Sequence, residues 1–292
     1  MIHNDKILSM MKFCEPMREH TTFKIGGPAD IWAQPKDLES LMQIIGLCRS
    51  ESMPVVIAGN GSNLLIKYKG IKACVINLNT AYFKSLKVEA DSVTAGAGLG
   101  LSRLINVFCK EGLSGLESLA GIPATVGGAL AMNAGGKAWI GDFIEEVSVM
   151  DGELKVRNLD RKELVFRYRG SNLGKYIVLN ARFKFRKSNP ETVKKQTKRF
   201  LDEKIKNQDL AAKSAGCVFK NPNGASAGRL IDLSGFKGKN VGDAFVSEKH
   251  TNFIINAQNA TCSDVLKLMD KIIVKVKKDH GVRLEPEIKV LG

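Results

Sequence analysis

The stretch AGIPATVGGALAMNAGG, Ala120–Gly136, holds five glycines, one proline and no charged residue. Small residues at this density let backbone N–H groups come close to a ligand, because no side chain stands between. The usual guest of such a loop is an anion, most often a phosphate or pyrophosphate. A packed turn running into a small-residue helix would use the same composition. A second glycine turn lies upstream in PVVIAGNGSNLLI, Pro54–Ile66. Val55, Val56 and Ile57 predict a buried strand, Gly59–Asn63 a polar turn, and the following Leu-Leu-Ile another strand. The turn has Gly59 and Gly61 but lacks the third glycine of a Rossmann fingerprint, and no helix follows it. A dinucleotide held here would use backbone and Ser/Asn donors in a loop between strands.

The rest of the chain fits a globular protein. Its 292 residues suffice for one large or two medium domains, and 44% hydrophobic with 25% charged residues is ordinary for a water-soluble fold. No run of eighteen apolar residues and no signal-peptide pattern is present, so a cytoplasmic protein away from any membrane is expected. The six cysteines form no CxxC pair and no zinc spacing, which implies buried reduced thiols and no metal. A net charge of +14 calls for an anionic partner. Ten Lys/Arg against four Asp/Glu fall in residues 184–213. Nucleic acid is one candidate, but few aromatics are interleaved to stack bases. Small phosphorylated ligands account for the charge as well.

Along the chain, residues 1–22 form a loosely organised lead-in. Phe23–Trp32 predicts strand, turn and strand punctuated by Gly26-Gly27-Pro28. Asp37 caps a helix carrying Leu38, Leu41, Met42, Ile45 and Cys48 at helical spacing, Pro54–Ile66 then gives a β-α-β unit, and Ile71–Leu78 is another strand. Paired strands follow at Phe83–Val88 and Ser92–Ala95, then a helix at Leu101–Glu111 ended by Gly112. After the small-residue loop come strands near Val147–Met150, Leu154–Arg157 and Ile177–Phe185, with Asp151-Gly152 as a hairpin turn. A charged helix, Glu191–Asp209, leads to a last unit. That unit holds Ser214–Pro222, a helix at Ala227–Leu233, a strand at Phe253–Ala257, a long helix from Ser263 or Asp264 to Gly281, and a final strand Val282–Val290.

Three places carry candidate chemistry. Arg169, in Tyr168-Arg169-x-Ser171 after an apolar strand, can clamp a carboxylate through two parallel hydrogen bonds, or simply face water. Glu285 and Glu287 lie two apart, on one face of a strand that Pro286 confines to an edge or irregular end. They can do acid–base work or be solvated. Cys217 follows Ser214-Ala215-Gly216, small neighbours that admit a flat ligand. Its thiol is mostly protonated at pH 7 and so can donate a proton, unless it is a packing residue.

Taken together, HTTFKIGGPAD, IAGNGSNLLI, AGIPATVGGALAMNAG, YRGS, SAGCVFKNP, VSEKHTNFIIN and LEPE occur in the order seen in the UDP-N-acetylenolpyruvoylglucosamine reductases, peptidoglycan-precursor enzymes. The resemblance runs from His20 to Gly292 and is to the shorter, type II form. It implies an α+β fold: a two-lobed FAD-binding region of the vanillyl-alcohol-oxidase type over 21–188 (lobes 21–79 and 80–188) after a lead-in 1–20. A C-terminal substrate-binding domain occupies 189–292. It implies a monomer with non-covalent FAD held by Gly59, Asn60, Gly61, Ser62 and Asn63 and by Gly121, Ile122, Pro123, Thr125, Gly127, Gly128, Asn133, Ala134 and Gly135. NADPH would reduce the flavin, and the enolpyruvyl ether of UDP-N-acetylglucosamine would then take a hydride at C3, giving UDP-N-acetylmuramate. By the same resemblance Arg169 and Glu287 act at the substrate carboxylate and Cys217 protonates C2. Tyr168, Lys220, Asn221 and His250 would contact substrate.

The chain departs from the family pattern at three points. The proton donor is commonly serine where this chain has Cys217. Ala124 stands where the loop commonly has glycine. GGKAW replaces the common alanine-tyrosine-glycine, which removes a tyrosine–flavin contact. The rival readings are an FAD-linked oxidase of the same fold and a basic nucleic-acid-binding protein. Covalent oxidases usually carry a histidine in the glycine turn, and Gly59–Asn63 has none.

Overall fold

The computed structural model describes residues 2–90 and 92–292. They group into two compact units. The first comprises residues 1–12, 32–60 and 74–204, and the second residues 13–31, 61–73 and 205–292. Among the described residues no helix is long and apolar enough to cross a membrane.

In the first unit, Asp37 caps the helix Leu38–Ser50 by a reciprocal pair of bonds with Ser40, which satisfies two otherwise orphaned donors. Leu41, Ile44, Ile45 and Cys48 form its buried stripe. The strands on either side of the glycine turn do not form a hairpin. Val55–Ala58 pairs in parallel with Cys74–Asn77. A five-stranded antiparallel sheet follows, in the spatial order Val156–Asp160, Ile144–Met150, Ile177–Phe183, Val93–Gly96, Leu86–Val88. Val147, Val149, Ala181 and Phe183 are fully buried on it. The helix Leu101–Glu111 buries Leu101, Leu104, Ile105 and Phe108, and Gly112 ends it.

Some elements start later than the sequence suggests. Tyr82–Lys84 is a 3₁₀ turn, so the first of the paired strands begins only at Leu86. At the Asp151-Gly152 turn, the Asp151 carboxylate accepts the N–H groups of Glu153 and Lys155. This lengthens the connection and moves the return strand to Val156. The charged helix is Pro190–Asn207.

The second unit has a sheet ordered Ser214–Cys217, Phe253–Asn256, Ala244–Val246, Asn240–Val241. The helix Cys262–His280, capped by Thr261 and stopped at Gly281, buries Val265, Leu268, Met269, Ile272 and Val276. Its core includes Phe219, Ile254 and Leu284, and also Phe23, Ile25 and Leu65 from early in the chain. Each such fully buried side chain contributes about 1.5–3 kcal/mol.

Three expectations are corrected here. The lead-in is ordered: helix Ile2–Leu8, strand Met11–Pro16 and a 3₁₀ turn Met17–His20 with Met17 fully buried. Its apolar residues come in isolated short pairs, so no period betrays the elements. No strand forms at Phe23–Ile25, and only Pro28–Ala33 is extended in a sheet. There the backbone is held by side chains instead: the Asn256 amide donates to the Phe23 carbonyl (3.0 Å), and the Thr22 hydroxyl donates to the Ser214 carbonyl (2.7 Å). The final strand shrinks to Lys289–Leu291, parallel to Leu64–Ile66. Pro286, without an N–H, makes only an isolated bridge to Phe219.

The cysteines divide. Cys48, Cys74 and Cys262 are buried, Cys109 and Cys217 half-buried, and Cys14 exposed. Burial pushes the thiols of Cys48, Cys74 and Cys262 up, away from the reactive thiolate.

Candidate active site

The first unit brings the start of the Gly59–Asn63 turn to the small-residue loop. The Asn60 amide donates to the Pro123 carbonyl (3.1 Å), and a Cβ at Gly59 would collide with the Thr125 hydroxyl. The Asn77 amide holds the carbonyls of Ala58 and Gly59 from beneath, each at 2.9 Å. Only glycine fits so close an approach.

The small-residue loop uses most of its polar groups on the protein itself. Gly127 N–H donates to the Ala97 carbonyl (2.9 Å), and Thr125 Oγ1 accepts Gly128 N–H (3.2 Å) as the cap of helix Val126–Ala131. Asn133, almost wholly buried at φ +42°, donates to the Arg167 carbonyl and accepts Gly141 N–H, both at 3.1 Å. Ala134 is buried, and the Gly135 carbonyl accepts from Arg169. By contrast, among the described residues the N–H groups of Asn60, Gly61 and Ser62 donate to no protein acceptor. A run of uncommitted N–H groups in a tight turn fits an oxyanion such as a pyrophosphate. Within the first unit the small-residue loop supplies shape beside Asn60. Gly121, at φ +82°, opens the loop ahead of Ile122 and Pro123. Ala124 has no positive φ, so its methyl costs no backbone strain.

Arg169 is not in the loop after a strand but at the turn of a short hairpin, Phe166–Arg167 with Gly170–Ser171. Its φ is +57°, a left-handed conformation costing a side-chain-bearing residue about 1–2 kcal/mol. Nη1 donates to the Gly135 carbonyl (3.3 Å), so the arginine is tied to the end of the small-residue loop. Its guanidinium lies over the rings of Tyr168 (5.4 Å) and Trp139 (5.7 Å).

Close by is a residue that composition did not single out. Lys204, on the charged helix, is half-buried and donates to the carbonyls of Ser118 (2.9 Å) and Ala120 (2.7 Å) at the mouth of the loop. Burial, and then the charge of Arg169, pull its pKa down to about 8. Nothing in the sequence separates it from the other lysines of that helix, whose period is masked by charge on every side.

In the second unit a β-bulge carries Cys217. Ser214 pairs with Ile255 and Cys217 with Phe253, so two residues, Ala215 and Gly216, oppose one. Gly216 takes φ +73° with open space where a Cβ would be, so glycine is there for its conformation. The bulge re-aims the Cys217 side chain relative to a regular strand. The next residue ties to the segment of Glu287: Glu287 N–H donates to the Val218 carbonyl (2.8 Å) and Lys220 N–H to the Glu285 carbonyl (2.8 Å). The structure thus places Cys217 and Glu287 on adjacent backbone segments. Asn252, buried within an apolar run, locks this arrangement by bonding both Phe219 N–H (3.0 Å) and the Phe219 carbonyl (2.8 Å).

The end of the glycine turn joins the same region. The Asn63 amide donates to the Glu287 carbonyl (3.2 Å), and Lys289 N–H to the Asn63 carbonyl (2.9 Å). Gly61, at φ +63°, packs so tightly over the His20 carbonyl that any Cβ would collide with it.

Glu285 separates from Glu287: it is largely exposed and pairs with Lys220 Nζ (3.3 Å). Asn221 Oδ1 accepts Ala227 N–H (3.0 Å) at the start of helix Ala227–Leu233. His250 stacks edge-on against Phe253, ring centroids 4.7 Å apart, and burial pulls its pKa down, which keeps the imidazole neutral at pH 7. Tyr168 is exposed along one side of Arg169.

Comparison with known proteins bears on both units. Residues 208–291 match the family model described as UDP-N-acetylenolpyruvoylglucosamine reductase, C-terminal domain, and residues 29–160 match an FAD binding domain. The chain is 43% identical over 281 residues to the UDP-N-acetylenolpyruvoylglucosamine reductase of Caldanaerobacter subterraneus subsp. tengcongensis, spanning 95% of this chain and 92% of that one. It is 42% identical over 281 residues to the reductase of the same name from Clostridium botulinum strain 657, spanning 95% and 91%. The crystal structure of the UDP-N-acetylenolpyruvylglucosamine reductase from Thermus caldophilus is similar to it with TM-score 0.83 at 36% identity, over 97% of this chain and 98% of that one.

Proposed function

The chain belongs to the UDP-N-acetylenolpyruvoylglucosamine reductase family, with its FAD-binding domain, and from that premise we propose that it reduces the enolpyruvyl ether of UDP-N-acetylglucosamine with NADPH. The overall change is NADPH, a proton and the enolpyruvyl ether giving NADP⁺ and the lactyl ether of UDP-N-acetylmuramate. The double bond gains a hydride at C3 and a proton at C2. Bound FAD supplies the redox chemistry, as a two-electron carrier between NADPH and the double bond.

The chain's own residues bind, orient and move the proton. The N–H groups of Asn60, Gly61 and Ser62 hold the cofactor's pyrophosphate without a covalent anchor. Arg169 presents a planar fork to the substrate carboxylate and stabilises the negative charge that spreads onto it as C3 is reduced. Cys217 gives its thiol proton to C2 and is reprotonated from solvent. A thiol is several pKa units more acidic than a serine hydroxyl, so it needs less help from its surroundings to do this. Glu287 acts beside it at the carboxylate end of the enolpyruvyl group.

The observation that carries this reading is the bulge just before Cys217, beside the segment bearing Glu287. The test is direct. Purified protein should show flavin absorbance, should release FAD intact on acid denaturation, and should oxidise NADPH only when the enolpyruvyl nucleotide is present. Colourless protein, or NADPH oxidation that needs oxygen alone, overturns the reading.

A further inference from the structure

We infer that Trp139 is a positioning residue for Arg169, an inference that rests on the carboxylate-binding role proposed above. Arg169 holds a backbone conformation that disfavours a side-chain-bearing residue, so its neighbours must fix it. The Gly135 carbonyl accepts from Nη1 at 3.3 Å. The guanidinium carbon lies 5.4 Å from the Tyr168 ring centroid and 5.7 Å from that of Trp139. The two rings meet edge-on, centroids 5.7 Å apart at 86°, and form a two-walled aromatic corner around the cation.

Such a corner suits a carboxylate-binding arginine. A π face attracts the guanidinium without neutralising it, as a carboxylate neighbour would. It also removes rotamers, so that less freedom is lost when the fork closes on an anion. Trp139 is itself held by the backbone. Its N–H donates to Asp142 Oδ2 (3.0 Å), and it forms a bridge with Gly135, the residue that also anchors Arg169. Trp139 belongs to GGKAW, the segment where the chain departs from the family pattern. The aromatic group contributed by this segment thus serves the arginine.

The test separates the ring face from bulk. Trp139→Leu removes the π face and Trp139→Phe keeps one. Calorimetric titration of the oxidised FAD-loaded protein with the enolpyruvyl nucleotide should show Kd raised about five-fold in Trp139→Leu and within about two-fold of native in Trp139→Phe. Flavin reduction by NADPH should be unchanged in both. In an Arg169→Met background, adding Trp139→Leu should weaken binding no further, since the tryptophan works through the arginine. Equal losses in the Leu and Phe variants, slowed NADPH reduction, or additive losses in the double variant would overturn the inference. If Arg169→Met weakens binding and Trp139→Leu does not, this inference alone fails. If Arg169→Met binds as tightly as native, the carboxylate role fails and the inference falls with it.

Discussion

Each unit sets a residue with a proposed chemical role at or beside a left-handed backbone position, but they do it differently. In the first unit the residue takes that conformation itself: Arg169 sits at φ +57° and is held by a carbonyl and two rings. In the second unit Gly216 takes it, at φ +73°, and Cys217 comes directly after the bulge that this glycine forms. Side-chain neighbours therefore determine the place of Arg169, whereas main-chain geometry determines that of Cys217. The arginine should be sensitive to what surrounds it. The cysteine should be sensitive to its own chemistry and to the glycine before it.

The largest expected effect concerns the thiol. Cys217→Ala should lower enolpyruvyl reduction roughly 10²–10⁴-fold, the usual size of a general-acid contribution, and Cys217→Ser should recover a substantial part. Steady-state turnover at saturating NADPH measures both. Next is the arginine, where Arg169→Lys keeps the charge but loses the fork. A loss of about ten-fold in kcat/KM for the enolpyruvyl nucleotide is expected, equivalent to one good charged hydrogen bond. A lysine variant of native efficiency would mean that charge alone matters and would remove the geometric half of the comparison.

A smaller effect tests the bulge. Gly216→Ala meets no steric obstacle, so its cost should be only the left-handed conformation, about 1–2 kcal/mol, read as a lower Tm. A stabilised variant would show that the bulge relaxes freely and does not hold Cys217. The smallest effect is one of pH. Burial lowers the pKa of Lys204 from 10.5 to about 8, so between those values the unfolded chain binds more protons than the folded one. Stability contributed through Lys204 therefore rises with pH across that window and is least below it. The Tm of native protein relative to Lys204→Met should climb from pH 8 to 10, and a flat difference would show that the lysine is not held as described.

The sequence made the two glycine loops legible because close backbone approach demands small residues, and that demand is written in composition. Helices with strong caps and periods, Leu38–Ser50 and Cys262–His280, were legible for the same kind of local reason. What escaped was long-range. Phe23 and Ile25 look like a strand but insert into a core built mostly from the C-terminal hundred residues, and the Phe23 carbonyl and the Thr22 hydroxyl bond to partners far along the chain. Lys204 was hidden because burial of one lysine among many leaves no mark on the pattern. The hairpin that bends Arg169 into a left-handed turn carries no glycine at that position, so no turn signal announced it.

Whether the second unit's cysteine handles only the proton is tested most directly by watching the flavin in the two half-reactions of Cys217→Ala. Stopped-flow mixing with NADPH should show reduction at the native rate. Mixing the reduced protein anaerobically with the enolpyruvyl nucleotide should show reoxidation slowed by about 10²–10⁴-fold, with Cys217→Ser in between. Reoxidation of Cys217→Ala at the native rate, or equal slowing of both half-reactions, would contradict the account.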